Sequence, residues 1–485
     1  MVIKKIILAT LNARYTHTSI ALRSLFANLK ELKDSAKILE FVINEELNTI
    51  AEKILTMRPV IVGLGVYIWN ARDISELVKI IKKVSPQTTV ILGGPEASHE
   101  PFRVDLSNAD YIIKGEGEIA FYELCTAILS DNKPQNRLIH ATAPSTKELE
   151  LPYKYYDEDD IKHRYTYIES SRGCPFECEF CLSSIDEKVR YFDVDKLITS
   201  LQDLIDKGAS RFKFIDRTFN LNMTIATKLL DFFLSQENPC SLHFEVIPEN
   251  FPPQLKERLS KFKEHKLQLE VGIQTLNQSI AKNINRKIDV TKILENIKFL
   301  QENTTAHLHF DLIVGLPGED LESFGAGLNL LADTTNSEIQ IGILKKLSGT
   351  TINRHDEVFG MVYNDSPPYE ILQNDKLSFE DMQKMKRFAR FWDLTYNSGN
   401  FDQTVRVIFE NKGCFDGFYA FSEWIYEQTL STWQISLDRM AKLLFTYMTD
   451  ILGKNPKTVA QMMIDDITKH EGRRTPAFLK EALRS

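Results

Sequence analysis

Three cysteines, Cys174, Cys178 and Cys181, stand in a C-x3-C-x2-C array, with Phe180 directly before the last of them. Thiolates at this spacing can wrap three corners of an iron–sulfur cubane, leaving the fourth iron without a protein ligand. An open iron can bind a substrate, whereas a fully ligated cluster mostly passes electrons. The competing reading is a zinc site, which wants four tetrahedral ligands. His163 could supply a fourth, but no second cysteine pair follows. A disulfide knot fits poorly, because six cysteines in 485 residues are too few for such a scaffold and no secretory signal precedes them. The remaining three, Cys125, Cys240 and Cys414, stand alone and read as small buried hydrophobes.

The cysteine loop follows a short strand pattern at residues 165–168, and from there β and α patterns alternate. Strands are expected at 211–215, 242–246, 267–272, 307–314 and 338–344. Helices are expected between them at 195–207, 224–235, 253–263, 277–284, 290–302 and 321–331. Six strand–helix units predict an incomplete (β/α)6 barrel, with its reactive centre at the carboxyl ends of the strands. The polar residues expected there are Asp216, Glu245, Gln274, Arg286 and Asp311. Each has an ordinary alternative as a turn former or helix cap.

Ahead of the barrel, residues 1–140 show the same alternation with shorter elements. Strands are expected at 3–9, 37–43, 60–66, 89–92 and 111–113, and helices at 19–32, 50–57, 73–84 and 118–129. This is the pattern of a parallel sheet covered on both faces. Ligands of such sheets lie beyond the carboxyl ends of the strands, which singles out the loops 10–18, 67–70, 93–98 and 114–117. Gly93 and Gly94 follow their strand directly, where missing side chains let a large flat ligand approach the backbone. A phosphate-loop reading is weak: Gly63 and Gly65 lack a third glycine, and no Gly-Lys-Ser/Thr occurs. Residues 141–160 read as a connector, the acidic run Asp157, Glu158, Asp159 and Asp160 being a solvated face.

Residues 346–485 are mostly helical and rich in aromatics, with helices expected at 382–396, 416–428, 431–452 and 458–468. The first interleaves Lys384, Lys386, Arg387 and Arg390 with Phe388, Phe391 and Trp392. Such a stretch either faces a substrate or packs its rings in the core and solvates its bases. A small basic patch, Lys469 to Arg474, lies in the tail. The length gives two or three domains: 1–140, a connector 141–160, a barrel 161–345 and a helical cap 346–485.

The cysteine loop, the segment 214–220 around Asp216, the segment 270–275 followed by Arg286, and the segment 311–319 with Gly315 and Gly318 together resemble the radical S-adenosylmethionine (SAM) superfamily. The N-terminal loops containing Asn12, Tyr67, Gly93, Gly94 and Glu116 resemble the Rossmann-like cobalamin-binding domain that precedes the barrel in one class of that superfamily. The resemblance implies a [4Fe-4S] cluster on Cys174, Cys178 and Cys181. Its open iron would chelate the methionyl amino and carboxylate groups of SAM, and an electron from the cluster would release a 5′-deoxyadenosyl radical. It further implies SAM contacts from Phe180, Asp216, Glu245, Gln274, Arg286, Asp311 and Gly315. Arg286 takes the methionyl carboxylate, because a guanidinium offers a planar bidentate fork. Cobalamin contacts fall to Asn12, Tyr67, Gly93, Gly94 and Glu116. The Asp-x-His-x-x-Gly pattern of histidine-ligated cobalamin is missing, and His17 lies outside it, so the cobalt has no histidine beneath it. A domain that kept the fold and lost the corrin is the alternative.

The activity so implied is methyl transfer from methylcobalamin to an unreactive carbon. A non-methylating rearrangement or cyclisation, and tRNA modification with RNA held by the helical tail, are the other readings. The substrate is then a small molecule or an RNA base, and an electron donor such as flavodoxin or ferredoxin is needed. A net charge of −8 gives no bulk attraction for polyanions. Hydrophobic content of 43% and charged content of 26% are ordinary for a globular protein. No run approaches the roughly 18 apolar residues of a membrane span. Residues 1–8 read as a strand with internal lysines and no cleavage site, and free cysteines suit a reducing, cytoplasmic compartment.

Overall fold

Two parallel six-stranded sheets carry the chain, and their side-chain patterns differ for a physical reason. The computed structural model describes residues 5–410, 412–469 and 472–484. In the first sheet, β1 (Ile6–Asn12) is buried at every position because helices cover both faces. It joins β2 (Ala36–Val42), β3 (Ile61–Gly65), β4 (Thr89–Gly93), β5 (Tyr111–Lys114) and β6 (Leu138–His140) in the order β2-β1-β3-β4-β5-β6. The expected first strand began at Ile3; Ile3 and Lys4 lie outside the described residues, as do His470 and Glu471 of the basic tail. The edge strand β6 was not expected, being three half-exposed residues with no apolar run of its own.

The second sheet takes its strands in sequence order: β7 (Thr166–Ile168), β10 (Arg211–Phe214), β11 (Ser241–Val246), β12 (Lys266–Gln274), β13 (His307–Val314) and β14 (Glu338–Ile343). A two-residue ribbon, β8 (Ser171–Arg172) against β9 (Arg190–Tyr191), closes the cysteine loop between the first two. Along β12 and β13 buried apolar residues alternate with half-buried polar ones. One face meets the helices and the other lines a lumen, which is the open (β/α)6 barrel. The chain is thus an α/β protein with a Rossmann-like front, a partial barrel and a helical end.

Three local expectations are corrected. The helix expected over 19–32 stops at Ala27, and Lys30, at φ +51°, starts a separate 3-10 turn, Lys30–Ser35. Residues 431–436 are not helical: Leu430, at φ +49°, ends the previous helix, and Ser436 caps the next at Leu437. The acidic run is not all solvated. Asp160 is buried, and it meets Arg23 (2.5 Å) and Arg164 (2.9 Å), while Glu40 meets the same two arginines at 2.9 and 2.8 Å. That four-residue network fastens the first sheet to the connector.

A small hairpin, β15 (Val362–Tyr363) with β16 (Ile371–Gln373), precedes the C-terminal helices. The helix Phe379–Thr395 turns Met385, Phe388, Phe391 and Trp392 into the core. Its bases are all ion-paired: Lys384 with Glu380, Lys386 with Glu370, Arg387 with Glu423 and Arg390 with Asp393. The helix is therefore a packing element. Barrel and C-terminal helices share one continuous apolar core, whereas the first sheet has a separate core on each face. Among the described residues no helix is long and apolar enough to cross a membrane.

Candidate active site

The cysteine loop leaves the barrel between β7 and β10 and is pinned at each end. Gly173 sits at φ +86°, and a Cβ there would lie 2.7 Å from the Lys188 carbonyl oxygen, so the turn into Cys174 needs glycine. Cys174 N–H then donates to Asp186 O (2.9 Å), and Cys181 N–H to Cys178 O (3.0 Å). Cys174 and Cys178 are buried, Cys181 is half-buried, and all three are free of disulfides. Burial raises both buried thiols, and Arg286 beside Cys178 works against that. Cys125, Cys240 and Cys414 are buried among apolar neighbours, as expected. His163 sits 4.0 Å from Asp159 at the end of the helix Glu158–His163, a pairing within its own helix.

Arg286 is the residue that best fits an absent anion. Its Nη1 donates to Cys178 Sγ (3.6 Å) and its Nη2 to Gly272 O (2.5 Å), while its Nε is buried without a partner. A buried unpaired donor costs free energy unless a ligand satisfies it, and a carboxylate against the open edge of this guanidinium would do so. Gln274 stands beside it at the end of β12, at φ +69°, where the register slips against β13. Its amide folds back over Gly272, which has no Cβ to obstruct it. Phe180 is half-buried and packs on the barrel core.

The lumen carboxylates differ in how they are held. Glu245 accepts two hydrogen bonds from Arg217 (3.0 and 3.1 Å). Glu270 accepts from His243 (2.9 Å), and its carboxyl is held down at about 2 by that bond and by Lys213 despite its burial. Asp311 is different. Its Oδ1 has no hydrogen bond among the described residues and lies 3.4 Å from His309 Nε2, and burial together with Glu270 and Glu245 pushes its carboxyl up to about 8.

Five residues expected to touch a ligand have close neighbours of their own within the protein. Asp216 is 2% exposed, and it accepts from Ser170 N–H, Ser170 Oγ (2.6 Å) and Ser171 Oγ (2.6 Å). It anchors the base of the cysteine loop. Glu116 is taken by Arg172 (2.8 Å) and Arg190. Asn12 gives both amide hydrogens to His17 O (2.9 Å) and Glu40 (3.1 Å), which leaves only its carbonyl oxygen for any ligand. Gly315 and Gly318 sit at φ +90° and +81°, with side chains packed where a Cβ would go. A Cβ on Gly315 would meet Ile371 at 2.8 Å, and one on Gly318 would meet Phe359 at 3.0 Å.

At the carboxyl edge of the first sheet, Tyr67 stacks on Trp69 (4.6 Å between centroids, 4° between planes), and Trp69 is 45% exposed. Trp69 Nε1 donates to Leu11 O (3.0 Å). Trp69 went unremarked in the sequence; the signal was a large aromatic in one of the predicted ligand loops. Beside this plate Gly93 has room, its nearest neighbour for a Cβ being Ile113 O at 3.7 Å. Gly94 has none: at φ +105° a Cβ would lie 2.6 Å from Val66 O. His17 Nδ1 bonds Tyr167 of β7, so the histidine faces the barrel. An exposed aromatic plate beside an open glycine fits a flat macrocycle that takes no histidine from below. Also missed was Arg172, whose guanidinium holds Glu169 (2.9 Å), Glu116 (2.8 Å) and Glu118 (2.8 Å) at once, joining the cysteine loop to the last loop of the first sheet.

Family models match the chain in three blocks: a B12 binding domain over residues 6–125, the radical SAM superfamily over 168–331, and a protein of unknown function, DUF4080, over 357–485. The chain is 26% identical over 340 residues to the 2-(S-pantetheinyl)-carbapenam-3-carboxylate methyltransferase of Streptantibioticus cattleyicolor, which covers 62% of this chain and 49% of that protein. It is 26% identical over 329 residues to the cobalamin-dependent radical SAM methyltransferase TokK of Streptomyces tokunonensis, covering 59% and 47%. The chain spans about half the length of these curated relatives. The solved structure of the cobalamin-dependent S-adenosylmethionine radical enzyme OxsB superposes with a TM-score of 0.66 at 13% identity, over 99% of this chain and 83% of that one. TsrM from Kitasatospora setae superposes at 0.59 and 17%, over 78% and 81%. These two likenesses are of fold. The chain therefore joins a B12 binding domain to a radical SAM domain, and the cofactors of these domains are cobalamin and a [4Fe-4S] cluster with SAM.

Proposed function

We propose that this protein is a cobalamin-dependent radical SAM methyltransferase acting on an unactivated carbon of a small molecule. When bound, the cluster supplies the electron that splits SAM, and the corrin carries the methyl group. Cys174, Cys178 and Cys181 would hold the cluster. Arg286 would orient the methionyl carboxylate beside Cys178, and Gln274 and Glu245 would line the same strand ends. Tyr67, Trp69 and Gly93 would floor the corrin. The observation that carries the reading is the unpartnered Nε of Arg286, buried against a cysteine of the loop. At neutral pH the Asp311 carboxyl keeps its proton and can donate a hydrogen bond into the lumen, where an ionised one could only accept.

A small-molecule substrate is favoured over RNA because the bases of the helix Phe379–Thr395 are spent on carboxylates within the fold. The two curated relatives described above are methyltransferases by name, which supports methyl transfer over cyclisation. A low-potential donor such as flavodoxin or ferredoxin would deliver the electron. The test is anaerobic reconstitution, reading iron, sulfide and corrin per chain, 5′-deoxyadenosine release, and label passing from the methionine methyl to product. Cys178→Ala should abolish cluster and deoxyadenosine while keeping corrin. Zinc-replete, iron-free protein would sink the reading.

A further inference from the structure

Glu179 lies inside the cysteine loop, between Cys178 and Phe180, and is 2% exposed. Burying a carboxylate costs several kcal/mol unless cations and hydrogen bonds answer it. The answer comes from a distant part of the chain. His355 Nε2 lies 2.6 Å from one carboxylate oxygen, and Arg354 Nη2 holds the other. Glu179 N–H donates to Ile284 O (3.2 Å), so backbone and side chain are both fixed. Arg354 and His355 fall between the two family models that end at residue 331 and begin at 357.

We propose that Arg354 and His355 are positioning residues for the cluster. Through Glu179 they set where Cys178 and Cys181 present their thiolates, which makes the C-terminal segment part of the redox centre. The proposal rests on the cluster occupying the three cysteines. Charge offers a second reason for the clamp: an unanswered carboxylate next to a cluster disfavours its reduction, and hydrogen bonds and net charge around the sulfurs tune its potential. The same segment continues over the other loops. His355 packs near Phe359 (5.5 Å), Phe359 covers Gly318, and Ile371 covers Gly315. Tyr369 Oη donates to Glu96 (2.8 Å) in the loop after β4. One strap therefore touches the cluster loop, the loop after β13 and the expected corrin loop.

The experiment compares full-length, reconstituted wild type with Arg354→Ala, His355→Leu and His355→Gln. Arg354 is 59% exposed on its side chain, so its truncation opens no core cavity. The readouts are iron and sulfide per chain, the EPR spectrum of the reduced cluster with and without SAM, SAM affinity, and corrin uptake as an internal control. Arg354→Ala and His355→Leu should keep corrin uptake while the SAM-induced spectral change weakens and SAM affinity falls about tenfold, as for one charge-assisted hydrogen bond. His355→Gln, which retains a donor, should restore much of it. Unchanged spectra and affinity in both Arg354→Ala and His355→Leu would overturn the proposal. So would a loss of cluster and corrin together in all three variants, which marks a purely structural role. If wild type itself forms no cubane, the cluster assignment fails first and takes this proposal with it.

Discussion

At the scale of single residues, Arg286 and Asp311 stand out because each keeps a buried polar atom without a hydrogen bond among the described residues. Arg286 has one donor on a thiolate candidate, one on a carbonyl and one on nothing. Charge-assisted hydrogen bonds of a guanidinium contribute on the order of 1.5–3 kcal/mol. Arg286→Ala should therefore weaken SAM binding about 10- to 100-fold with iron and sulfide content unchanged, and Arg286→Lys should recover little, since an ammonium lacks the fork. Equilibrium dialysis with SAM decides it; wild-type affinity in both variants removes Arg286 from the site. Asp311 makes a pH prediction. Its carboxyl titrates near 8 when folded and near ~3.9 when unfolded. The folded state then binds the extra proton, so Asp311 favours folding fully below about pH 4, and that contribution is lost as pH rises toward about 8. Asp311→Asn should thus be more thermostable than wild type at pH 9, with the gap shrinking toward pH 4. Equal melting shifts at both pH values would rule this out.

Elements were easier to read in the sequence than the loops that join them. Strand β13 and the helix Glu118–Leu129 fall where the periodicity puts them, because an apolar pattern reports which face is buried. The three cysteines were equally legible, since their spacing is local. The partners of Asp216 and Glu116 were not legible for the opposite reason: Ser170 and Arg190 are 46 and 74 residues away, and no local pattern encodes that distance. The glycines show both cases. Gly93 and Gly94 read alike in sequence, yet only Gly94 is demanded by its own backbone. Gly94→Ala should cost about 1–3 kcal/mol of stability through its positive φ. Gly93→Ala should keep the melting point and lose corrin uptake, because its Cβ meets only a carbonyl at 3.7 Å on the protein side. A Gly93→Ala protein with normal corrin content would show that the ligand does not approach there.

For the whole molecule the question is what keeps the two parallel sheets in fixed relation, since two cofactors must face one substrate. Arg172 is one such tie. It stands two residues before Cys174 and binds Glu116 and Glu118, which lie between β5 and the start of the helix Glu118–Leu129, plus Glu169 between β7 and β8. Its fork is mostly buried, so removing it strands carboxylates rather than freeing them; even with Arg172 present, burial raises Glu169 to about 7. Breaking such a buried set by one partner typically costs about 3–5 kcal/mol. Arg172→Gln should lower the thermal midpoint and speed amide exchange at residues 114–118, although these lie far from Arg172 in sequence. Glu118→Gln added to Arg172→Gln should recover part of the loss, because it removes one of the stranded charges. The double-mutant cycle should then show a coupling energy of about 0.5–3 kcal/mol. Additive effects, with exchange at 114–118 unchanged, would mean that the sheets are held together elsewhere. Other ties, among them the buried network of Arg23, Glu40, Asp160 and Arg164, would then carry the load, and corrin would stay bound in Arg172→Gln.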